Sequence, residues 1–152
     1  MMVAGFEQPA RSISVIECLV LGDSIAVGVA KHTPQCEIQA KGGINSWQMA
    51  RQVNAWPTDK AVRHTIISIG TNDYAKLNTK EYVNQIRFRI RGPVTWILPS
   101  KEIKPQQREL VEIVAKFWGD NIITVKPEQL SKDRIHLTGT GYKEIANEVF
   151  HN

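Results

Sequence analysis

Leu19 to Gly28 read LVLGDSIAVG, an apolar run that stops at Gly22-Asp23-Ser24 and resumes in small and aliphatic residues. Apolar residues ending on a glycine suit a buried strand, and short polar residues ahead of Ile25 and Ala26 suit the start of a helix. The stretch reads as a strand turning directly into a helix. Gly22 permits the tight turn, and Ser24 arrives where the backbone N–H groups of a helix start are free.

The same unit recurs down the chain. SVIECLVL, CEIQA, HTIISIG, VTWIL and NIITV are strand-length apolar runs, and stretches with helical spacing lie between them. Apolar residues fall on one helical face at Tyr82, Val83, Ile86 and Ile90, at Leu110, Val111, Val114, Phe117 and Trp118, and at Tyr142, Ile145, Ala146, Val149 and Phe150. Their aromatics are expected in the core. Asn78 with Glu81 has capping-box spacing, Pro105 suits a helix entrance, and Gly119 suits a stop. Strands alternating with helices predict an α/β fold, a three-layer sandwich around a parallel sheet, whose sites form beyond the carboxyl ends of the strands. The 152 residues fit a single domain, residues 1–152, with residues 1–12 read as an irregular N-terminal segment.

Composition narrows the function classes. The 19 basic and 15 acidic residues give a net charge of +4 without a run of like charge, so Arg87, Arg89 and Arg91 read as a solvated helix face, not a nucleic-acid surface. No secretion signal or membrane span is legible, which fits a cytoplasmic protein or one exported or virion-associated by a route the sequence does not show. Cys18 and Cys36 lie in apolar surroundings and read as buried thiols, with a single bridge between them left open. No metal-ligand spacing appears, and GDSIAVG matches neither dinucleotide nor phosphate-loop patterns.

Three polar clusters remain. Ser24 is a helix cap or a nucleophile, and Asp23 reads as a turn former. Gly70-Thr71-Asn72-Asp73 follows the third strand, where Asn72 offers an amide donor and Asp73 a turn bonded to its own backbone. In KDRIHLTGTGY, Asp133 precedes His136 by three residues, close enough for a carboxylate to orient the imidazole. A serine needs a base, and the base an acceptor, so Ser24, His136 and Asp133 fill three complementary roles. His32, His64 and His151 read as surface or loop histidines.

GDS, GTND and DRIH in this order resemble the SGNH hydrolases, also called GDSL-type esterases and lipases, over essentially the whole chain. The resemblance implies a flavodoxin-like five-stranded sheet of order 2-1-3-4-5. It also implies Ser24 as nucleophile, His136 as base, Asp133 as its partner, and an oxyanion hole from the Ser24 N–H and Asn72, with Gly22, Asp23, Gly70 and Asp73 shaping the site. The family's second block supplies a glycine N–H, where this chain carries GGINSW with Ser46 in register. Asn45 and Gln48 have capping-box spacing, so Ser46 is expected as the first helical residue with its N–H free, and Gly43 is the alternative donor.

These expectations converge on a serine esterase that removes a short acyl group, acetyl above all, from a small molecule or glycan at an open site without cofactor or metal. The rivals are an acyltransferase or thioesterase with the same triad, and an inactive carbohydrate-binding or scaffold module with Trp47, Trp56 or Trp96 as stacking surfaces.

Overall fold

The computed structural model describes residues 15–53 and 61–151. The N-terminal segment 1–12 and Trp56 lie outside the described residues. Five parallel strands form the main sheet: β2 (Leu19–Gly22), β3 (Glu37–Ala40), β5 (Thr65–Ser68), β6 (Val94–Ile97) and β7 (Asn121–Ile123), in the order β3-β2-β5-β6-β7. Numbered within that sheet, the order is the expected 2-1-3-4-5. The helices are α1 (Ser24–Ala30), α2 (Ser46–Val53), α3 (Thr79–Phe88), α4 (Pro105–Trp118) and α5 (Gly139–His151).

Side-chain alternation along the strands makes the two cores. Leu19, Leu21, Ile67 and Trp96 point into the layer of α2, α3 and α4. Val20, Ile66, Ile97 and Ile123 point into the layer of α1 and α5. Covered on both faces, β2, β5 and β6 are buried throughout, which is why their sequences are continuous apolar runs. Each fully buried aliphatic side chain contributes about 2 kcal/mol. At Gly22, φ is +135° and a Cβ would come within 1.8 Å of the Ser68 carbonyl oxygen, so only glycine lets β2 end this close to β5.

Local signals hold where the interactions are local. Asn78 Oδ1 accepts from the Glu81 N–H, Pro105 opens α4, and Gly119 closes it in the left-handed conformation. Other expectations fail. SVIECLVL is two strands, β1 (Val15–Ile16) and β2, and β1 pairs with β4 (Ala61–Val62) in a separate two-stranded parallel sheet. Cys18 and Cys36 are not free thiols but a disulfide, because pairing Leu19 with Glu37 sets the two preceding residues side by side, 4.7 Å apart at Cα.

Phe117 is 79% exposed and Phe150 37%, against the expectation of core aromatics. The α4 stripe runs through Gln107, Val111, Val114 and Ala115, and at 100° per residue Phe117 falls off its flank. Trp96 is no stacking surface: it is fully buried, and its indole N–H donates to Asp120. Arg87 is not solvated either. Its Nε and Nη2 donate to Asp120 at 2.7 and 3.0 Å, and its guanidinium lies over Trp118. His32 and His151 are exposed as expected, and His64 lies in the loop between β4 and β5, half-buried, with Nε2 2.8 Å from the Thr95 hydroxyl. Among the described residues no helix is long and apolar enough to cross a membrane.

Candidate functional site

The polar residues that follow β2, β3, β5 and β7 gather at the carboxyl end of the sheet, where the strand order switches direction at β2. Ser24 is the first residue of α1, and the cap is Asp23, whose Oδ1 accepts from the Ile25 N–H at 3.0 Å. The hydroxyl thus stands free of capping duty. Ser24 Oγ lies 2.9 Å from His136 Nε2, across 112 residues of chain.

His136 Nδ1 lies 2.7 Å from Asp133 Oδ2. Hydrogen bonding to the charged form, first from His136 and then from the Ile135 and His136 N–H groups and the Ser131 hydroxyl, holds the Asp133 carboxyl well below the usual carboxylate range. An ionised carboxylate only accepts, which assigns the proton to Nδ1 and leaves Nε2 to accept from Ser24. Both side chains are nearly half exposed, 45% for His136 and 48% for Asp133, so the pair opens to solvent.

The loop that carries them is pinned by contacts no short-range pattern reveals. Arg134 sits between them at φ +60°, a strained value for a non-glycine residue. Its guanidinium forks onto Glu102 at 2.8 and 3.0 Å, and its carbonyl accepts from the Ser100 hydroxyl at 2.7 Å. Glu102 and Ser100 follow β6, so the loop after β7 is tied to its neighbour. The bonds Asp133 accepts from the Ser131 hydroxyl and from the Ile135 and His136 N–H groups, two or three residues away, are the contacts with a local signal.

Asn72 is exposed at the same end. Its Nδ2 donates to the Ile44 carbonyl at 3.0 Å, which orients the amide and leaves its second hydrogen. Asn45 and Gln48 form the expected reciprocal capping box, and Ser46 is the first residue of α2. The Ser46 N–H is not free, however: it donates to Asp73 Oδ1 at 2.8 Å, and its hydroxyl donates to Asp73 Oδ2 at 2.5 Å. Asp73 is buried and also accepts from the Thr79 hydroxyl at 2.6 Å. Rather than closing a turn with its own side chain, it caps α2 from 27 residues away, and its carbonyl accepts from Gln107 and Lys104. Gly43 (φ +82°) is exposed, and nothing accepts from its N–H or from that of Ser24 among the described residues. Gly70, which precedes Thr71 and Asn72, is buried at the end of β5 and its carbonyl accepts from the Asp73 N–H.

Asp23 is fully buried. Oδ1 also accepts from the Ser68 hydroxyl, whereas Oδ2 has no partner among the described residues. Burial pushes its pKa up to about 6 against the opposing pull of the Ile25 N–H and the Ser68 hydroxyl.

No family model and no curated protein sequence matches the chain. Solved structures do. A GDSL-like lipase from Bacteroides thetaiotaomicron is 19% identical over 95% of this chain and 89% of its own, with a TM-score of 0.65. The C-terminal catalytic domain of Streptococcus pneumoniae peptidoglycan O-acetyltransferase A is 16% identical over 90% of each chain, with a TM-score of 0.62. An acetyl xylan esterase from Geobacillus stearothermophilus is 15% identical over 88% of this chain and 93% of its own, with a TM-score of 0.61. The chain has the fold of the SGNH hydrolases, shared with this GDSL-like lipase, this O-acetyltransferase domain and this acetyl xylan esterase.

Proposed function

We propose that this protein is a serine esterase that removes short acyl groups, acetyl above all, from hydroxyl-bearing substrates such as carbohydrates. The observation that carries the reading is the continuous chain from Ser24 Oγ through His136 to Asp133, with links of 2.9 and 2.7 Å. Structural relatives described as an acetyl xylan esterase, a carbohydrate esterase and an O-acetyltransferase support acyl chemistry on glycans.

In the proposed course, Ser24 Oγ attacks the ester carbonyl and its proton passes to His136 Nε2, while Asp133 stabilises the imidazolium. The oxyanion is held by the N–H groups of Ser24 and Gly43 and the second amide hydrogen of Asn72. Ser46 has no part in this hole, since Asp73 occupies its N–H. Each such donor is worth about 3 kcal/mol to the transition state. His136 returns the proton to the departing alcohol, and water, activated in the same way, hydrolyses the acyl-enzyme.

Hydrolysis of p-nitrophenyl acetate by the wild type, lost by at least about a thousandfold in Ser24→Ala, is the expected result. Equal rates in the two proteins would overturn the reading. A second reading, transfer of the acyl group to a sugar hydroxyl, is favoured by the likeness to the peptidoglycan O-acetyltransferase domain. Product analysis with a sugar acceptor separates transfer from hydrolysis.

A further inference from the structure

A cavity of about 230 Å³ is walled by Lys41, Gly42, Gly43, Ile44, Gln48 and Gln52, in the turn that follows β3 and the first turns of α2. Its wall at Gly42 neighbours Ser24: a Cβ built on Gly42 would stand 3.8 Å from Ser24 Cβ. The position follows from the fold. β3 ends at Ala40, and the Lys41 N–H donates to the Gly22 carbonyl at 2.8 Å, which lays the turn that follows against the Gly22-Asp23-Ser24 corner.

The walls define what fits. Ile44 is the one aliphatic side chain and is buried, so little apolar surface is offered to a hydrocarbon tail. No carboxylate lines the space, and Lys41 is its single charge, with no ion-pair partner among the described residues. The Gln48 side chain is fixed, because its Oε1 accepts from the Asn45 N–H at 3.0 Å, and its NH2 group remains to donate. Gln52 lies one turn further along α2. Arg51 is engaged elsewhere, stacked on Trp47 at 5.0 Å. The volume suits a single sugar ring, below the usual range for larger ligands.

We propose that this cavity holds the alcohol side of the ester and that the alcohol is a carboxylated sugar, its carboxylate paired with Lys41 and its hydroxyls bonded by Gln48 and Gln52. The inference rests on the esterase reading for what happens to the sugar, but not for whether it binds.

Binding is therefore measured without turnover, by following amide NMR shifts of Ser24→Ala protein titrated with methyl glucuronide and with the neutral methyl glucoside. The glucuronide is expected to bind at least fivefold more tightly. Lys41→Gln should erase that difference and Lys41→Arg should keep it, each judged against an otherwise superposable spectrum. Equal affinity for the two sugars, no shift for either at tens of millimolar, or a preference that survives Lys41→Gln would overturn the proposal. A third arm, 3-O-carboxymethyl glucose, places the carboxylate on an ether arm instead of the ring, and the tighter of the two acids states where it is carried. If the sugar acid binds while p-nitrophenyl acetate is not hydrolysed, the esterase reading alone falls. If hydrolysis depends on Ser24 but no acid preference exists, this subsite alone falls.

Discussion

At the carboxyl ends of the strands three side chains, Ser24, His136 and Asp133, are partly exposed and joined in a chain by one hydrogen bond at each link. At the amino ends the polar groups are locked: Cys18 is bridged to Cys36, and Arg87 forks onto an Asp120 that also accepts from the Trp96 indole. On the proposed reading, the difference separates two tasks of one sheet. Groups that must exchange protons with a substrate need access and freedom to change partners, while groups that only hold strands in register gain from burial and redundancy. Loss of a residue at the first end should cost rate, and loss at the second should cost stability.

The largest effect expected is on rate. His136→Ala should lower kcat/KM for p-nitrophenyl acetate by at least about a thousandfold, because the proposed nucleophile and base would act as a unit. Thermal unfolding should shift little, since a half-exposed side chain in a loop carries roughly 0.5 kcal/mol or less. A large drop in Tm would show that the loop is structural and would break the comparison at its first end.

The opposite signature belongs to Asp120→Ala. It strands the Arg87 guanidinium, 9% exposed as a side chain, without its carboxylate. Removing one partner of a buried pair costs about 3 to 5 kcal/mol, which denaturant unfolding would read, while kcat at 25 °C should stay near the wild-type value. A stability change below about 1 kcal/mol would mean that the bond to the Ile90 carbonyl and the Trp118 ring suffice for Arg87.

How much of each end was legible in the sequence follows from the range of its interactions. The βα alternation, the Asn45 and Asn78 caps and the Gly119 stop depend on residues a few positions apart and were readable, whereas the order of the main sheet, which pairs strands far apart in the chain, came only from the resemblance to the SGNH hydrolases. The meeting of Asp133 with His136, three residues apart, was readable too. Hidden features depend on register or on distant side chains. The disulfide follows only once Leu19 is known to pair with Glu37, and the capture of the Ser46 N–H by Asp73 spans 27 residues. The burial of Arg87 needs Asp120, 33 residues on. β1 and β4, at two residues each, are too short to carry a period.

Next in size comes the bridge. Replacing Cys18 and Cys36 together by serine frees a loop of 18 residues' separation, a loss of about 3 kcal/mol by chain entropy. The double variant should keep the wild-type kcat well below its lowered Tm. A parallel fall in kcat, measured where the protein is still folded, would show that the register of β2 and β3 is transmitted to the Ser24 corner, and the two ends would no longer be independent.

The smallest and most specific effect concerns Asp23, which belongs to the site end but is buried like the other. Its folded pKa lies near 6, above the 3.8 of an ordinary aspartate, so between about pH 4 and 6 the folded protein holds a proton that the unfolded chain has released. Stability must then fall as pH rises through this window, by at most about 1.4 kcal/mol per pH unit from this one group, with the penalty absent below pH 4 and complete above pH 6. Asparagine can still accept from Ile25 and Ser68 but carries no charge to desolvate. Asp23→Asn should therefore match the wild type near pH 4 and exceed it near pH 7, as read by urea unfolding across the range. A variant less stable than wild type at pH 7 would mean that the carboxylate is held by more than those two hydrogen bonds, and that the Ser24 corner stores no electrostatic strain.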